Sequence, residues 1–362
     1  MKVLFLVPAP LNISPSQRFR FEHYLPILNE NGIIYTIQSF WSLQAWIILF
    51  KKGYFFRKTT GLIGGLLRRF FIITNLSKYD YIYIHREVAP IGPPFFEWFI
   101  AKIWRKKMIY DFDDAIWLSQ SSSANPKSSL VKCSWKVKYI CKYAKIISVG
   151  NRFLADYAKQ YNRNIKNIPT VVDTEKVHTG LKNQNDFPLT IGWTGTFTNF
   201  VYLNKVSNVI NELRKKYNFS YFIISDKDPK LKGVEYSFKK WNLQTEIIDL
   251  LSIHIGIMPL CNSKAGLGKC GFKAIQYMSL GIPAVVSPVG ANCEVVKNEE
   301  NGYWADTEEE WYISLEKLII QKELRIKMGI ASQKFIRENY SVKATRELFL
   351  DLFKEPGQIG AT

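Results

Sequence analysis

The 362-residue sequence has few cysteines, and none of them forms a CxxC pair. The five are scattered along the chain, at Cys133, Cys141, Cys261, Cys270 and Cys293. An odd, unpaired set of this kind excludes a disulfide framework and a cysteine-ligated zinc site. It is typical of a protein that works in a reducing compartment.

Long apolar runs are missing as well. The run WSLQAWIILF ends at Lys51 and GLIGGLL ends at Arg68, so both are shorter than the roughly 20 apolar residues of a membrane-spanning helix. Pro8 and Pro10 end the N-terminal apolar run too early for a secretory signal. The sequence also lacks a Walker loop, a GxGxxG motif and a Ser-His-Asp arrangement in a strand–turn–helix context. These absences argue against the enzyme classes built on those motifs.

Acidic residues are scarce in the first half of the chain, which accounts for most of the formal net charge of +18. Residues 1–178 hold 26 basic and 11 acidic side chains, while residues 179–362 hold 23 and 20, so the halves carry +15 and +3. A positive field of this size suits nucleic acid, an anionic membrane or a phosphorylated substrate. No nucleic-acid-binding motif accompanies it, so we expect no nucleic-acid partner.

Two stretches contain no acid at all, one between Glu30 and Asp80 and one between Asp114 and Asp156, and each holds seven Lys or Arg residues. In the first stretch, aromatic residues are interleaved with the basic ones. Apolar and aromatic anchors beside Lys and Arg suit the headgroup boundary of a bilayer. We therefore predict contact with an anionic membrane surface, without a membrane span. A buried helix with a solvated basic face is the alternative.

Short apolar runs alternate with helical patterns along the whole chain. The runs predict strands at 2–8, 33–37, 81–85, 107–111, 145–150, 189–193, 219–225, 253–260 and 283–288. Buried strands separated by helices predict parallel sheets that are covered on both faces. A polar stretch at 173–188 divides the series in two.

The sequence therefore predicts an α/β protein with two doubly wound, Rossmann-like domains. We expect an N-terminal domain at 1–178 and a C-terminal domain at 179–340, with a final helix at 341–362 packing back on the first. In open α/β sheets, ligands bind outside the carboxyl ends of the strands. A cleft between the two domains is accordingly the expected site.

The strongest chemical signal lies between residues 253 and 294, where a strand, a Gly-rich loop and a helix follow one another. Gly266, Gly268 and Gly271 allow the backbone to approach a ligand closely, and the amides at the helix start favour phosphate. Lys269 and Lys273 add cationic donors. On these grounds alone, a flexible loop with solvated lysines is an equal alternative.

This segment resembles the donor-binding region of GT-B-fold glycosyltransferases of family 4, where a Gly-rich loop precedes Lys-x-x-Glu-(small)-Met-Ala-x-Gly-x-Pro-Val-Val. The residues in register with that pattern are Lys273, Met278, Gly281, Pro283, Val285 and Val286. Other matching motifs are GWTG (192–195), MPL (258–260), Ser16-x-Arg18-x-Arg20, His85-Arg86-Glu87 and YDFDDAIW (110–117). The resemblance covers nearly the whole chain, and the first half is similar to a bacterial subgroup that makes cell-surface polysaccharides.

The resemblance implies a GT-B fold, in which two Rossmann-like domains face each other across a cleft. It also implies a retaining, metal-independent hexosyltransferase that moves a sugar from a nucleoside diphosphate sugar to a lipid-linked glycan acceptor. No cofactor is implied besides the nucleotide sugar donor. The expected location is cytoplasmic, peripheral on the inner face of the cytoplasmic membrane. A non-catalytic subunit that binds a nucleotide sugar or scaffolds a membrane complex is the alternative.

The chain departs from the family at both hallmark glutamates, which correspond here to Gly268 and Gln276. The Gln276 amide oxygen can still accept hydrogen bonds from a ribose. The family's Arg and Lys after the GWTG strand are also missing, so Lys269, Lys273 and the loop amides would replace them. The donor-site residues implied by the resemblance are Gly195, Thr196, Gly268, Lys269, Gly271, Lys273, Gln276 and Glu294.

On the acceptor side, Asp113 stands near the position from which a family residue faces the transferred sugar. We therefore predict catalytic roles for Asp113 and Lys273. Arg18 and Arg20 are predicted to clamp the pyrophosphate of the acceptor, and Arg86 and Glu87 to line the same rim. The alternatives are a helix cap for Asp113, an exposed arginine pair at a helix start, and an internal ion pair at 85–87. Asp111-x-Asp113 matches a metal-binding DxD, but it lies far from the Gly-rich loop in sequence, so we expect no metal.

Overall fold

The computed structural model describes residues 1–118 and 132–354, and the chain forms two compact units. Unit 1 comprises Met1–Pro169 and Arg346–Thr362, and unit 2 comprises Thr170–Thr345. The chain thus leaves unit 1, builds the whole of unit 2, and returns to unit 1.

Unit 1 is built on six parallel strands. In chain order they are β1 (Lys2–Val7), β2 (Ile34–Ser39), β3 (Tyr81–His85), β4 (Lys107–Phe112), β5 (Ile146–Val149) and β6 (Ile165–Asn167). They form one sheet in the order β2-β1-β3-β4-β5-β6, and every pairing is parallel.

Helices connect these strands. They are α1 (Pro15–Arg20), α2 (Leu25–Glu30), α3 (Leu43–Leu49), α4 (Phe55–Ile73), α5 (Phe95–Trp98), which continues as a π-helical turn (Phe99–Ile103), α6 (Lys136–Tyr143) and α7 (Arg152–Lys159). Short 3-10 helices occur at Glu22–Tyr24 and Leu76–Lys78. None of the helices in the described part of the chain is both long and apolar enough to cross a membrane.

The central strands of unit 1 are buried almost throughout. All five residues of β3 and the last five of β1 are buried, as expected for strands covered on both faces. The buried imidazole and carboxylate of these strands lie near the carboxyl ends, where His85 closes β3 and Asp111 lies one residue before the end of β4. A buried acid–imidazole pair is therefore present at the carboxyl end of the sheet of unit 1.

Unit 2 repeats this architecture. Its strands are β7 (Thr190–Gly195), β8 (Ser220–Ser225), β9 (Ser237–Lys240), β10 (Ile255–Met258), β11 (Ala284–Val286) and β12 (Gly302–Trp304). They form a second parallel sheet in the order β12-β11-β10-β7-β8-β9.

The helices of unit 2 begin after a 3-10 helix at Phe197–Leu203. They are α8 (Asn204–Arg214), α9 (Glu246–Leu251), α10 (Lys264–Leu267), α11 (Phe272–Ser279), α12 (Asn292–Val295), α13 (Glu308–Ile320) and α14 (Lys322–Asn339). The prediction of two Rossmann-like sheets is confirmed.

A close contact fixes α11 on the sheet of unit 2. A Cβ atom at Gly256 of β10 would lie 2.3 Å from Cδ2 of Tyr277, so only glycine lets the ring pack there. The Tyr277 hydroxyl in turn accepts a 2.7 Å hydrogen bond from the backbone N–H of Thr194 in β7. This contact sets the position of α11, which carries Lys273 and Gln276.

The last helix, α15 (Arg346–Leu350), and the 3-10 helix that follows it (Asp351–Phe353) complete unit 1. The ring of Phe349 stacks on Tyr24, with centroids 4.1 Å apart and planes 4° from parallel. The domain boundaries suggested by the sequence, 1–178 and 179–340, stay a prediction.

In both sheets the chain starts in the interior and adds strands on either side. Strands β2 and β3 flank β1, and β8 and β10 flank β7. Such a reversal of strand order opens a crevice at the carboxyl ends, where open α/β sheets bind ligands. The loops that follow β1 and β3, and those that follow β7 and β10, are therefore where functional side chains are expected.

Candidate active site

A string of polar side chains lies at the carboxyl ends of β3 and β4. His85 and Asp111 are neighbours across these strands, and His85 Nδ1 lies 2.8 Å from Asp111 Oδ2. The other ring nitrogen, Nε2, lies 2.8 Å from the Ser16 hydroxyl on α1. The side chains of His85 and Asp111 are fully buried. The sequence search for a Ser-His-Asp arrangement missed this string because its members are 69 and 26 positions apart.

Arg20 holds Asp111 from inside the unit. Its Nη2 lies 2.5 Å from Asp111 Oδ1 and also donates to the hydroxyl of Ser148, while Nη1 donates to the carbonyl of Ile168. Burial alone would raise the pKa of Asp111, but Arg20 and His85 outweigh it and hold that pKa well below its usual range. The Arg20 side chain is 1% exposed, so its partners are internal groups rather than the expected pyrophosphate.

Asp113 follows β4 and is the partly exposed member of this group. Its Oδ1 accepts hydrogen bonds from Ser16 at 2.7 Å and from Arg86 Nη2 at 2.8 Å. Burial raises its pKa, but Arg86, His85 and the Ser16 hydrogen bond outweigh that effect and lower it to about 2. The neighbouring Asp114 accepts from the backbone N–H of Ala115, so Asp114 makes the local turn contact expected of a cap.

Arg86 has a backbone conformation that costs energy. Its φ is 63°, in the left-handed region that few residues other than glycine adopt. A 2.7 Å hydrogen bond from its N–H to the carbonyl of Asp111 stabilises this bend after β3. After this bend the guanidinium forms an ion pair with Asp113, with Nη2 2.8 Å from Oδ1.

The predicted acceptor residues divide into two pairs. Arg86 and Glu87 line a cavity of about 50 Å³, and Glu87 pairs there with Lys136 at 2.9 Å. Arg18 is 3% exposed, with its guanidinium 4.7 Å from the ring centroid of Phe19, and does not line this cavity. The structure thus brings Arg86, Glu87 and Asp113 together, while Arg18 and Arg20 point into the unit.

In unit 2, three of the predicted donor residues meet at the end of β7. A Cβ atom at Gly195 would lie 2.7 Å from Cε of Lys273, and Lys273 Nζ lies 5.5 Å from the ring centroid of Trp193. Thr196 follows directly and is half-buried. The stem of Lys273 is therefore packed against the strand end, which places its ammonium at the crevice of this sheet.

The Gly-rich loop is a defined structure. Gly266 has a backbone carbonyl, that of Cys261, 2.1 Å from where a Cβ would be, so no other residue fits. Gly271 caps α11 with a φ of 68°. Gly290, with a φ of 55°, packs on the backbone of Leu267, so the loop after β11 contacts this loop directly. Amide-rich backbone ahead of an eight-residue helix is a setting that suits phosphate.

The remaining predicted donor residues differ in their surroundings. Gln276 is 4% exposed, and its Nε2 donates to Glu246 at 3.4 Å. Glu246 also accepts from Trp241, which keeps the Gln276 side chain in one orientation. Gly268 is buried at the end of α10, Lys269 is half-buried, and Glu294 is exposed on α12. Within the described ranges, no group of three or more His, Cys, Asp or Glu side chains could hold a metal ion.

Comparison with known proteins finds a family match in unit 2 and similar folds over the whole chain. Residues 212–335, which include α11 and the Gly-rich loop, match the model of glycosyl transferases group 1. Sucrose-phosphate synthase from Thermosynechococcus elongatus superposes with a TM-score of 0.67 at 11% identity, covering 98% of this chain and 99% of that one. Such a likeness gives the fold. Residues 212–335 therefore form a glycosyl transferases group 1 region, and the chain has the GT-B fold.

Two further solved structures share this fold. HepE from Anabaena, solved with UDP and glucose, has a TM-score of 0.64 at 12% identity, covering 98% of this chain and all of that one (100%). A glycosyltransferase from Rickettsia africae has a TM-score of 0.60 at 13% identity, covering 98% and 99%. No curated protein matches the sequence. The recognition made from the motifs is confirmed at the level of the family, and the subgroup stays a prediction.

Proposed function

We propose that this glycosyltransferase moves a sugar from a UDP-sugar to a hydroxyl of a lipid-linked glycan acceptor during the synthesis of a cell-surface polysaccharide. The observation that carries the proposal is the group 1 match over 212–335, which contains both the Gly-rich loop and Lys273. UDP-sugars are the first donors to consider because HepE was solved with UDP and glucose. By the family resemblance, the transfer retains the anomeric configuration and needs no metal.

The donor would bind to unit 2. As the sugar bond breaks, the diphosphate gains negative charge, and fixed amides and ammonium groups stabilise that charge best. Lys273, Lys269 and the amides of the Gly-rich loop supply such groups. The Gln276 amide oxygen would accept from the ribose hydroxyls, and Glu294 with the loop at Gly290 would border the sugar or phosphate.

The acceptor would bind to unit 1, with its hydroxyl at Asp113. With a pKa of about 2, Asp113 is ionised at neutral pH and can accept a hydrogen bond from a sugar hydroxyl. Arg86 fixes the orientation of this carboxylate, and the cavity beside Arg86 and Glu87 offers polar contacts to the glycan.

Residues 43–73 form a surface that we call the α3–α4 surface. In this proposal it contacts the lipid part of the acceptor. Phe55 and Phe56 are 75% and 84% exposed, and the apolar side chains of Ile63, Leu67, Phe70 and Phe71 are also more than half exposed. Lys51, Lys52 and Arg57 are exposed among them. A groove of about 340 Å³ between α3 and α4 has Arg57 and Arg68 on its walls. Exposed aromatics beside unopposed basic charge suit an anionic membrane, on the cytoplasmic side in this proposal.

The donor site is tested by Lys273→Met, which keeps an unbranched side chain against Trp193 and Gly195 but removes the charge. We expect turnover with UDP-sugars to fall at least about tenfold, the scale of losing one charge-assisted contact in the transition state. Lys264→Met is the matched control, because Lys264 is exposed on α10 and lies outside the predicted site. Thermal shift against a panel of nucleotide sugars identifies the donor, since a ligand that binds the folded state raises its stability. Equal turnover in both variants would remove Lys273 from the site.

A further inference from the structure

The 19-residue helix α4 has two adjoining faces of different chemistry. Successive residues of a helix turn by about 100°, so residues four, seven and eleven positions apart project from one face. At this spacing the basic face of α4 is formed by Arg57, Gly61, Gly64 and Arg68. The neighbouring apolar face is formed by side chains that are more than half exposed, those of Phe56, Ile63, Leu67 and Phe70. A basic face and an exposed apolar face therefore run side by side along the helix.

The basic face of α4 forms one wall of the groove between α3 and α4. At Gly61 the helices touch, since a Cβ there would lie 2.7 Å from the Cβ of Ala45 on α3. At Gly64 they separate. Beyond the chain neighbours and the helix backbone, the only described atom within 4 Å of a Cβ at Gly64 would be Nη1 of Arg68, at 3.8 Å. The space left open is about 340 Å³, which lies in the range of about 300–1,000 Å³ typical of small-molecule sites.

The groove presents positive charge along its length. Arg57 and Arg68 both line it and stand three helical turns apart, about 16 Å along the axis, so a guanidinium lies toward each end. Nη2 of Arg68 donates to the carbonyl of Phe40, which fixes the orientation of this guanidinium and leaves Nη1 beside Gly64. None of the described residues that line the groove is acidic. The groove is therefore complementary to an anion.

The adjoining faces narrow the choice of anion. Guanidinium groups bind phosphate oxygens through paired N–H donors. A free phosphate would leave the apolar face of α4 uncovered, whereas a phospholipid places hydrocarbon next to its phosphate. A choline headgroup would bring a cation toward the two arginines. A phosphoglycerol headgroup is negative overall, and its hydroxyls can exchange hydrogen bonds with the hydroxyls of Ser42 and Thr60, which also line the groove.

We propose that the groove between α3 and α4 binds the headgroup of one phosphatidylglycerol molecule. Its phosphate pairs with the arginines of the groove, and its acyl chains contact the apolar face of α4. The inference rests on the proposed function, because it requires the α3–α4 surface to lie at a membrane. It adds a selective site with one lipid per chain. General attraction to an anionic surface follows the number of basic residues, but this site depends on the shape of the groove as well.

The test is Gly64→Leu, which fills the groove without changing any charge. Leucine fits there because Gly64 is in the interior of α4, where leucine favours the helix more than glycine does. The probe is dihexanoyl phosphatidylglycerol below its micelle concentration, with binding measured by isothermal titration calorimetry. We expect one molecule per wild-type chain and at least about tenfold weaker binding to Gly64→Leu, the scale of losing one charge-assisted hydrogen bond. Thr74→Leu is the matched control, because Thr74 is exposed just after α4 and does not line the groove.

A second pair of variants separates the groove from basic charge in general. Arg57→Gln combined with Arg68→Gln should weaken binding of the probe as strongly as Gly64→Leu does. Lys51→Gln combined with Lys52→Gln removes the same charge from exposed positions that do not line the groove, so its affinity for the probe should match that of the wild type. Equal losses in the two double variants would overturn the inference.

Equal binding of the probe to the wild type and Gly64→Leu, or no binding to either, would also overturn it. The same holds if the wild type binds dihexanoyl phosphatidylcholine equally well. Displacement of the probe by an equal concentration of inorganic phosphate would assign the groove to a free anion and overturn the lipid site. Failure of the proposed function would appear differently, as a wild-type protein that does not bind anionic vesicles or that transfers no sugar.

Discussion

His254 is a buried imidazole that the fold holds in its neutral form. Its Nδ1 accepts from the backbone N–H of Thr190 at 3.1 Å, and Nε2 lies 2.9 Å from the carbonyl of Asp186, to which it donates. Burial, and then the nearby Lys182, lower the pKa of His254 to about 4. The residue lies just before β10, so it links β10 to the start of β7.

We therefore predict that the stability of unit 2 depends on pH and that His254→Gln removes this dependence. An unfolded histidine takes up a proton below about pH 6.5, but the folded one does so only near pH 4. Because the unfolded state binds more protons in this window, the free energy of unfolding falls as pH falls through it, by about 3 kcal/mol at most. Urea unfolding of both proteins at several pH values measures this. A wild-type and a variant that lose stability in parallel would contradict it.

The sequence alone does not reveal two polar contacts of the candidate site, that of Ser16 with Asp113 and His85 and that of Gln276 with Glu246. The sequence singled out Asp113 and His85 as parts of motifs, but Ser16 reaches them only because β1, β3 and β4 are adjacent in the sheet. Gln276 was predicted as a substitute for a glutamate, and its partner Glu246 lies 30 positions away. Both contacts depend on tertiary structure, which local spacing does not encode.

At the level of elements, the α3–α4 surface is formed by a helix with two different faces. The inner face of α4 packs closely, since a Cβ at Gly65 would lie 2.5 Å from Cε1 of the Phe40 ring. Arg69 is fully buried there and donates to the carbonyls of Val7 and Val88, and burial lowers its pKa to about 9. One of the seven positive charges assigned to this stretch is thus structural, and only the exposed ones are available for the proposed membrane contact.

We predict that Lys51→Glu, Lys52→Glu and Arg57→Glu together weaken binding to vesicles of mixed phosphatidylcholine and phosphatidylglycerol at least about tenfold. Each basic residue near an anionic surface contributes about 1 kcal/mol, and reversal adds repulsion. Co-sedimentation at low and high salt measures the change.

The matched control reverses three exposed lysines on α14, Lys322, Lys327 and Lys334, and alters the net charge equally. It should bind vesicles as the wild type does. If both triple variants lose binding to the same extent, the attraction is a property of net charge and the α3–α4 surface is not the contact.

The apolar pattern predicted most strands and missed three. All nine predicted strands are present, including β1 at Lys2–Val7 and β3 at Tyr81–His85. The missed strands, β6, β9 and β12, have three or four residues each and lie at sheet edges. In β9 every residue is exposed, so no burial selects apolar side chains there and the sequence has no periodic signal.

For the molecule as a whole, the segment after Thr345 closes the core of unit 1. Phe349, Leu352 and Phe353 are 1%, 0% and 4% exposed, and Phe349 stacks on Tyr24. The segment is short, but it fills a position that no other described part of unit 1 occupies.

We predict that ending the chain at Thr345 lowers the unfolding temperature of unit 1 and leaves that of unit 2 unchanged. Calorimetry of the two transitions measures this. Phe349→Ala should reproduce part of the loss, about 3 to 5 kcal/mol for a buried phenylalanine. Leu348→Ala is the control, because Leu348 is 45% exposed and its truncation should cost little. Equal losses of stability in Phe349→Ala and Leu348→Ala would show that the segment does not contribute to the core of unit 1.

The discontinuity of unit 1 along the chain has a consequence for synthesis on the ribosome. Domains generally fold as their residues emerge, N-terminal first. Here unit 2 is contiguous and can fold once Thr345 has been added, whereas unit 1 lacks Phe349 and its neighbours until the residues after Thr345 have been added. A polypeptide that terminates at Thr345 therefore carries a complete unit 2 and an unfinished unit 1. Translation beyond Thr345 is in this sense a condition for a stable unit 1.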